Sequence, residues 1–187
     1  MRTYALSNLA FAYKTITACR LCSSSDLEQV VDLEEQPLAN ALLRKQDQLE
    51  GLAPLVLMRC CSCSAIQLSV TVEPSAMFRD YLWVTGTSVS SIEHCAWLAE
   101  QILQRTEGDA VSVLEMASND GTLLRELQTR GADVLGVDPA RNLAEIATDQ
   151  GIETLPEFFD VPFAENLRAA RGAFDVVIAR NVLPHVP

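Results

Sequence analysis

Four cysteines in this sequence are spaced to hold a metal ion. Cys19-Arg-Leu-Cys22 and Cys60-Cys-Ser-Cys63 form two C-x-x-C pairs, with 37 residues between Cys22 and Cys60. Each loop aims two sulfurs at one tetrahedral ion, and two loops complete a closed four-thiolate zinc site that leaves no open coordination position. Such a site is structural rather than catalytic. The gap exceeds the usual zinc-ribbon spacing, so the segment between must form an excursion of its own, for which residues 37–43 and 54–58 offer the material. Four buried or reactive thiols without metal are the alternative. Cys61 and Cys95 are read as non-ligands, because the two-residue spacing pairs Cys60 with Cys63.

A second constellation lies further along. Glu115-Met-Ala-Ser-Asn-Asp-Gly121 joins a strand pattern to a helix pattern. A tight turn of small residues, here Ala117, Ser118, Asn119, Asp120 and Gly121, lets the backbone approach a ligand at the carboxyl end of the strand, where doubly wound sheets bind. One glycine stands where a dinucleotide fingerprint has three, so a pyrophosphate cradle and a nicotinamide-dependent oxidoreductase are poorly supported. Gly136-Val-Asp138-Pro139 then places a carboxylate 17 residues beyond Gly121, near the distance at which an acidic residue accepts bonds from ribose hydroxyls. Taken singly, the turn could be only a turn, and Asp138 only a cap before Pro139. Together they favour a nucleoside ligand without phosphates. S-adenosylmethionine has that shape, an adenosine joined to an amino acid. Asn181 and His185 leave the last strand pattern near the topological switch point; His185 is either a solvated loop residue or an active-site group.

The elements that must position these residues follow from periodicity. Strand patterns at residues 111–116, 133–137, 152–155 and 174–179 alternate with helix patterns at 123–130, 142–150 and 163–171, which is the signature of a parallel α/β half-sheet with right-handed crossovers. Apolar residues at helical spacing from 91 to 105 add a helix that packs on the sheet. The domains are then an N-terminal extension at 1–18, a zinc-binding domain at 19–88, a linking helix at 89–107 and a Rossmann-like domain at 108–187.

Composition limits the partners. The 187 residues carry 14 basic and 25 acidic side chains, a net charge of −11, so the overall field repels nucleic acid. No apolar run approaches the ~20 residues of a spanning helix, and an integral membrane role is excluded. No cleavage site follows the moderately apolar N-terminus. A cytoplasmic location is expected, where six cysteines point to metal or reactivity more than to disulfides.

The motifs together resemble one family. Cys19 to Cys22, Gln36-Pro-Leu-Ala-Asn40, Cys60 to Cys63 with Gln67-Leu68, Pro74, Phe78-Arg-Asp-Tyr81, Gly86-Thr-Ser88 and His94 match it, followed by Glu115 to Thr122, Gly136 to Pro139, Phe158-Phe159 and Asn181 to Pro187. The chain resembles the zinc-containing, S-adenosylmethionine-dependent C-methyltransferases that act on nucleotide-linked deoxysugars in antibiotic pathways. The resemblance implies an α/β fold: a small N-terminal zinc-binding domain followed by a partial Rossmann-like (class I) methyltransferase sheet, with structural Zn2+ and S-adenosylmethionine as cofactors and a nucleotide-sugar as substrate. It places Glu115, Ala117, Asn119 and Asp120 along the methionine part of the cofactor, Asp138 on the ribose, and Pro139 with Phe158 or Phe159 beside the adenine. Tyr81, Thr87 and Ser88 close the site, while Asn181 and His185 border methyl transfer. In such enzymes a general base removes a proton beside a keto group and the enolate attacks the methyl.

The family's tyrosine and histidine for proton abstraction lie in a segment past residue 187, and its third domain is absent from this sequence. The strand at 174–179 is expected beside the first one, with an open apolar edge that a C-terminal half or a partner chain would cover. Two classes of function follow: a C-methyltransferase or its N-terminal portion, or a catalytically silent, zinc-stabilised cofactor-binding or interaction module.

Overall fold

Short, near-continuous apolar runs in the second half of the chain build a parallel sheet, and a metal-knuckle ribbon precedes it. The computed structural model describes residues 9, 10, 12–43, 45, 51–108 and 110–185. Part of the expected N-terminal extension, residues 1–8 and 11, lies outside the described residues, as do Val186 and Pro187. The chain divides into two compact units between Met77 and Phe78.

The first unit contains β1 (Leu9–Ala10), β2 (Tyr13–Thr15), β3 (Leu27–Pro37), β4 (Gly51–Cys60), β5 (Ile66–Leu68), β6 (Val70–Val72) and the short helix α1 (Pro74–Phe78), whose last residue falls in the second unit. β3 and β4 pair antiparallel, with Leu27 opposite Cys60. β1 and β5 both pair with β4, and β2 pairs with β6. The excursion required by the 37-residue gap is therefore a long two-stranded ribbon. Its register returns the chain to Cys60 close to where it left Cys22, which is how two knuckles distant in sequence meet.

The second unit runs α2 (Val89–Leu103), β7 (Ser112–Met116), α3 (Thr122–Thr129), β8 (Asp133–Val137), α4 (Arg141–Asp149), β9 (Thr154–Leu155), α5 (Val161–Arg171) and β10 (Val176–Ala179). Its four strands are parallel in the order β10-β7-β8-β9, the expected half-sheet with the last strand beside the first. Successive residues of β7 point to opposite faces. Val113 joins Leu123, Leu124, Leu127, Cys95 and Ala99 beneath α2 and α3, while Leu114 joins Leu135, Val137 and Leu167 beneath α5. Both faces are covered over β7 and β8, as a parallel sheet requires.

The strand ends differ from the sequence pattern for local reasons. β10 starts at Val176 because the Asp175 carboxylate accepts bonds from both the backbone N–H and the hydroxyl of Ser112, clasping the chain before the ladder begins. β9 is short because Ile152 is buried in the core after the Gly151 turn, its N–H bonded to Ala147 O. Residues 78–88, assigned by sequence to the zinc-binding domain, pack within the second unit, because Tyr81, Thr85 and Gly86 bond to its loops and helices. The outer edge of β10 pairs with no strand among the described residues, and Val177 there is exposed.

Leu123 is fully buried between α2 and the sheet. Leu123→Ala leaves a cavity there and is expected to destabilise the second unit by about 2–5 kcal/mol, read from the urea midpoint of its unfolding.

Candidate functional site

The four cysteines of the two pairs converge. Their sulfurs all lie within 4.8 Å of one another, with Cys19 Sγ and Cys63 Sγ 3.6 Å apart and Cys22 Sγ and Cys60 Sγ also 3.6 Å apart. A disulfide would bring sulfurs to about 2.05 Å, whereas a tetrahedral zinc with ligands at about 2.3 Å separates them by about 3.8 Å. The donor set and spacing fit zinc.

The two knuckles are the same turn built twice. Ser23 N–H bonds to Cys19 O and Ser64 N–H to Cys60 O, each at 2.8–2.9 Å, and Ser23 and Ser64 both adopt left-handed φ, 61° and 63°. The N–H groups of Cys22 and Leu21 hold the Cys19 thiol down to about 6, and those of Cys63 and Ser62 lower Cys60 in the same way. At the second positions the N–H of Ser24 or Ala65 is outweighed by neighbouring sulfurs and burial, so Cys63 is raised and Cys22 is pushed up to about 12. Two thiolates form readily and two more need a cation among them. Cys61 is exposed and Cys95 is buried in the other unit; neither belongs to the cluster.

In the second unit the carboxyl ends of β7 and β8 gather a group of polar residues. The turn after β7 places Ala117, Asn119 and Gly121 in left-handed backbone, φ 53°, 56° and 73°, and Gly121 caps α3, where a Cβ would sit tightly, 3.2 Å from Ala147 and Ile152. Asp138 is buried and ties the turn down: its Oδ2 accepts Asn119 N–H at 2.7 Å and its Oδ1 accepts Ala140 N–H at 2.8 Å. Burial raises this carboxyl while those two bonds oppose the rise. Asp138 thus closes an Asx turn ahead of α4, whose N-cap, Ala140, has no side-chain cap bond, and each carboxylate oxygen retains a second lone pair for a ligand.

A strap formed by residues 83–87 lies over the turn. Asn119 Oδ1 accepts from Thr85 N–H and hydroxyl at 2.8 and 3.0 Å, and its amide donates to Trp83 O at 3.0 Å. Asp120 Oδ2 accepts Gly86 N–H at 2.9 Å, and its Oδ1 accepts the Thr122 hydroxyl at 2.7 Å. Gly86 approaches so closely that a Cβ would stand 2.5 Å from Asp120 Oδ2.

Glu115 is fully buried at the end of β7, and its Oε1 accepts from Arg180 Nε at 2.8 Å and Nη2 at 2.7 Å. Desolvation pushes its carboxyl up to about 7, with Arg180 pulling down and Asp138 and Asp120 pushing up. Glu115 Oε2 and Ser118 Oγ are buried without a hydrogen-bond partner among the described residues. An adenosine joined to an amino acid fits this arrangement: the carboxylates can take hydroxyl and amino donors, and the unsatisfied Oε2 is an acceptor awaiting one.

The remaining residues are more dispersed. Pro139 is half-buried beside Asp138. Phe158 lies under the Arg79 guanidinium, 4.6 Å from its ring centre, whereas Phe159 packs edge-on against Phe163 in the core beneath α5. The backbone of Tyr81 is paired with the Asn142 amide. The Thr87 hydroxyl donates to Val84 O, and Ser88 caps α2, so both are engaged locally. Asn181 is exposed with φ 52°, and exposed His185 lies 6.0 Å from the Phe78 ring. Sequence reasoning gave no individual role to Arg180 or Thr85 and named Gly86 only within the segment Gly86-Thr-Ser88. Arg180 had one signal, a cation directly after a strand expected beside the one carrying Glu115.

The fold and the paired sites define a Rossmann-like nucleoside-cofactor domain preceded by a four-cysteine metal module. A family model described as "Putative zinc binding domain" matches residues 19–78, and one described as a methyltransferase domain matches residues 91–187. The chain belongs to the methyltransferase-domain family. It is similar to C-methyltransferase NovU of Streptomyces niveus, 35% identical over 179 residues, which cover 93% of this chain and 42% of NovU. A ubiquinone biosynthesis O-methyltransferase of Acinetobacter baylyi is 31% identical over 78 residues, 40% of this chain and 33% of that protein. Among solved structures, an S-adenosyl-L-methionine-dependent methyltransferase from Methanococcus maripaludis aligns with a TM-score of 0.40 at 17% identity, over 52% of this chain and 46% of its own. The chain spans about two-fifths of the length of NovU.

Replacing Cys60 with Ser is expected to abolish tight zinc retention and unfold the first unit, because structural zinc supplies on the order of 10 kcal/mol to such modules; metal content and circular dichroism read both. Gly86→Ala is expected to displace the strap from Asp120 and lower the melting temperature of the second unit, with protease cleavage appearing within residues 83–87.

Proposed function

We propose that this chain is the cofactor-binding portion of an S-adenosylmethionine-dependent C-methyltransferase that acts on a nucleotide-linked keto-deoxysugar. The observation that carries this reading is the similarity to a C-methyltransferase through 93% of the chain, running across both the metal module and the methyltransferase domain. S-adenosylmethionine supplies an electrophilic methyl on a sulfonium. The chain's own part is to bind and orient. Asp138 accepts from the ribose hydroxyls, Glu115 from the amino-acid part, and the turn at 117–121 brings its backbone close. In-line geometry between a carbon nucleophile and the methyl is the main demand of the reaction, so fixed positioning is the main contribution of such a site.

None of the residues described above is assigned the proton-abstraction step, which the family resemblance gives to a tyrosine and a histidine. A C-terminal segment or partner chain would cover the open edge of β10. Four zinc-bound thiolates suit a reducing compartment, so the cytoplasm is the proposed location. No helix among the described residues is long and apolar enough to cross a membrane.

A second reading, a catalytically silent cofactor-binding module, draws on one feature: the side chains of Asn119 and Asp120 are taken up by the strap.

Calorimetric titration of the zinc-loaded chain with S-adenosylhomocysteine tests the binding role. Saturable binding is expected, weakened about 10- to 100-fold in Asp138→Ala, as loss of hydrogen bonds to a charged acceptor implies. Folded, zinc-loaded protein that binds nothing would rule the reading out. Methyl transfer to a nucleotide-linked keto-sugar by the chain together with a supplied C-terminal segment separates the enzyme from the silent module.

A further inference from the structure

The second unit buries a carboxylate and satisfies only half of it. Arg180 Nε and Nη2 both address Glu115 Oε1, while Nη1 turns to Cys95 Sγ at 3.5 Å. An Arg–carboxylate pair frequently sets the guanidinium fork against both carboxylate oxygens. Here Oε2 is left buried and without a partner among the described residues. The position is not incidental, because Ile178 of β10 lies in register with Glu115 and Arg180 follows two residues later, at the carboxyl edge where ligands enter.

We propose that Arg180 is a positioning residue of the cofactor site, holding Glu115 by one oxygen so that the other is presented as a charged acceptor to the cationic amino group of the ligand. The inference rests on the S-adenosylmethionine reading above. The resemblance places Glu115 beside the methionine part; the assignment of Arg180 comes from the geometry. The charged and titratable groups facing Glu115 are Arg180 from the end of β10, Cys95 from α2, Asp138 from the end of β8 and Asp120 from the turn. Both aspartates disfavour a further negative charge, and Arg180 is the cation that opposes them. With the Glu115 carboxyl at about 7, affinity is full above that pH, where the acceptor is ionised. It falls as the pH drops through it and the carboxyl becomes neutral.

The test follows the 13C signal of the Glu115 carboxyl and the affinity for S-adenosylhomocysteine across neutral pH, in the zinc-loaded chain and in Arg180→Met, Arg180→Lys and Glu115→Gln. In the parent chain the two midpoints are expected to coincide. Arg180→Met moves both to higher pH, and affinity at neutral pH falls roughly tenfold for every tenfold drop in the proton concentration at the midpoint. Arg180→Lys keeps the charge and loses the fork, so the midpoint stays nearer the parent while affinity falls. Glu115→Gln loses the pH dependence. If Arg180→Met lowers the melting temperature but leaves both midpoints in place, Arg180 is merely structural and the proposal is overturned. If the parent chain binds no S-adenosylhomocysteine at any pH while Glu115 titrates as described, the cofactor reading fails and takes this inference with it.

Discussion

Four sulfur atoms within 4.8 Å of one another cannot all carry negative charge unless a cation sits among them, and the first unit has little else to hold it. Its buried apolar residues are Cys19, Ala53, Cys60 and Val70 among those described, and two of these four are members of the cluster. β3 is exposed along most of its length. A ribbon with so little apolar burial cannot offset the conformational entropy of ordering its chain. Metal–thiolate bonds replace the missing core, and the N–H groups donated to Cys19 and Cys60 prepare two of the thiolates that those bonds require. The ribbon, the two knuckles and the short strands beside them all depend on that one centre.

The second unit reverses the balance. Leu123, Leu124, Leu127, Val113 and Leu143 are fully buried, and this apolar core can carry an uneconomical feature at one edge of the sheet. That feature is the set of carboxylates at the ends of β7 and β8. Burying Glu115 and Asp138 disfavours their charged forms, and backbone N–H groups and Arg180 partly restore them. Acceptors held in a dry setting, with lone pairs left over, suit a ligand that brings hydroxyl and amino donors. The strap at 83–87 uses two of the turn's polar side chains to secure itself, so the turn is rigid before any ligand arrives. Such preorganisation lowers the entropy lost on binding.

Much of this was legible from the sequence. The two C-x-x-C pairs identify themselves, since their chemistry is carried by residue type and by a spacing of two. The parallel half-sheet is readable because its strands are continuous apolar runs and its helices bury one stripe each, so periodicity reports the structure directly. Gly121 and the small residues before it mark the turn for the same local reason. By contrast, β3 was not legible: Leu27–Pro37 reads LEQVVDLEEQP, and a strand solvated on both faces has no need of alternation.

The sequence by itself determined the elements, the four cysteines of the metal cluster and the tight turn after β7, because each of these is set by neighbours a few positions apart. Only the tertiary structure decided which oxygen of Glu115 is free, that Arg180 holds the other, and that Thr85 and Gly86 rather than Thr87 and Ser88 secure the strap. These pairings join positions 34 to 65 residues apart. Parallel register and close approach select such partners, and neither leaves a periodic trace in the chain.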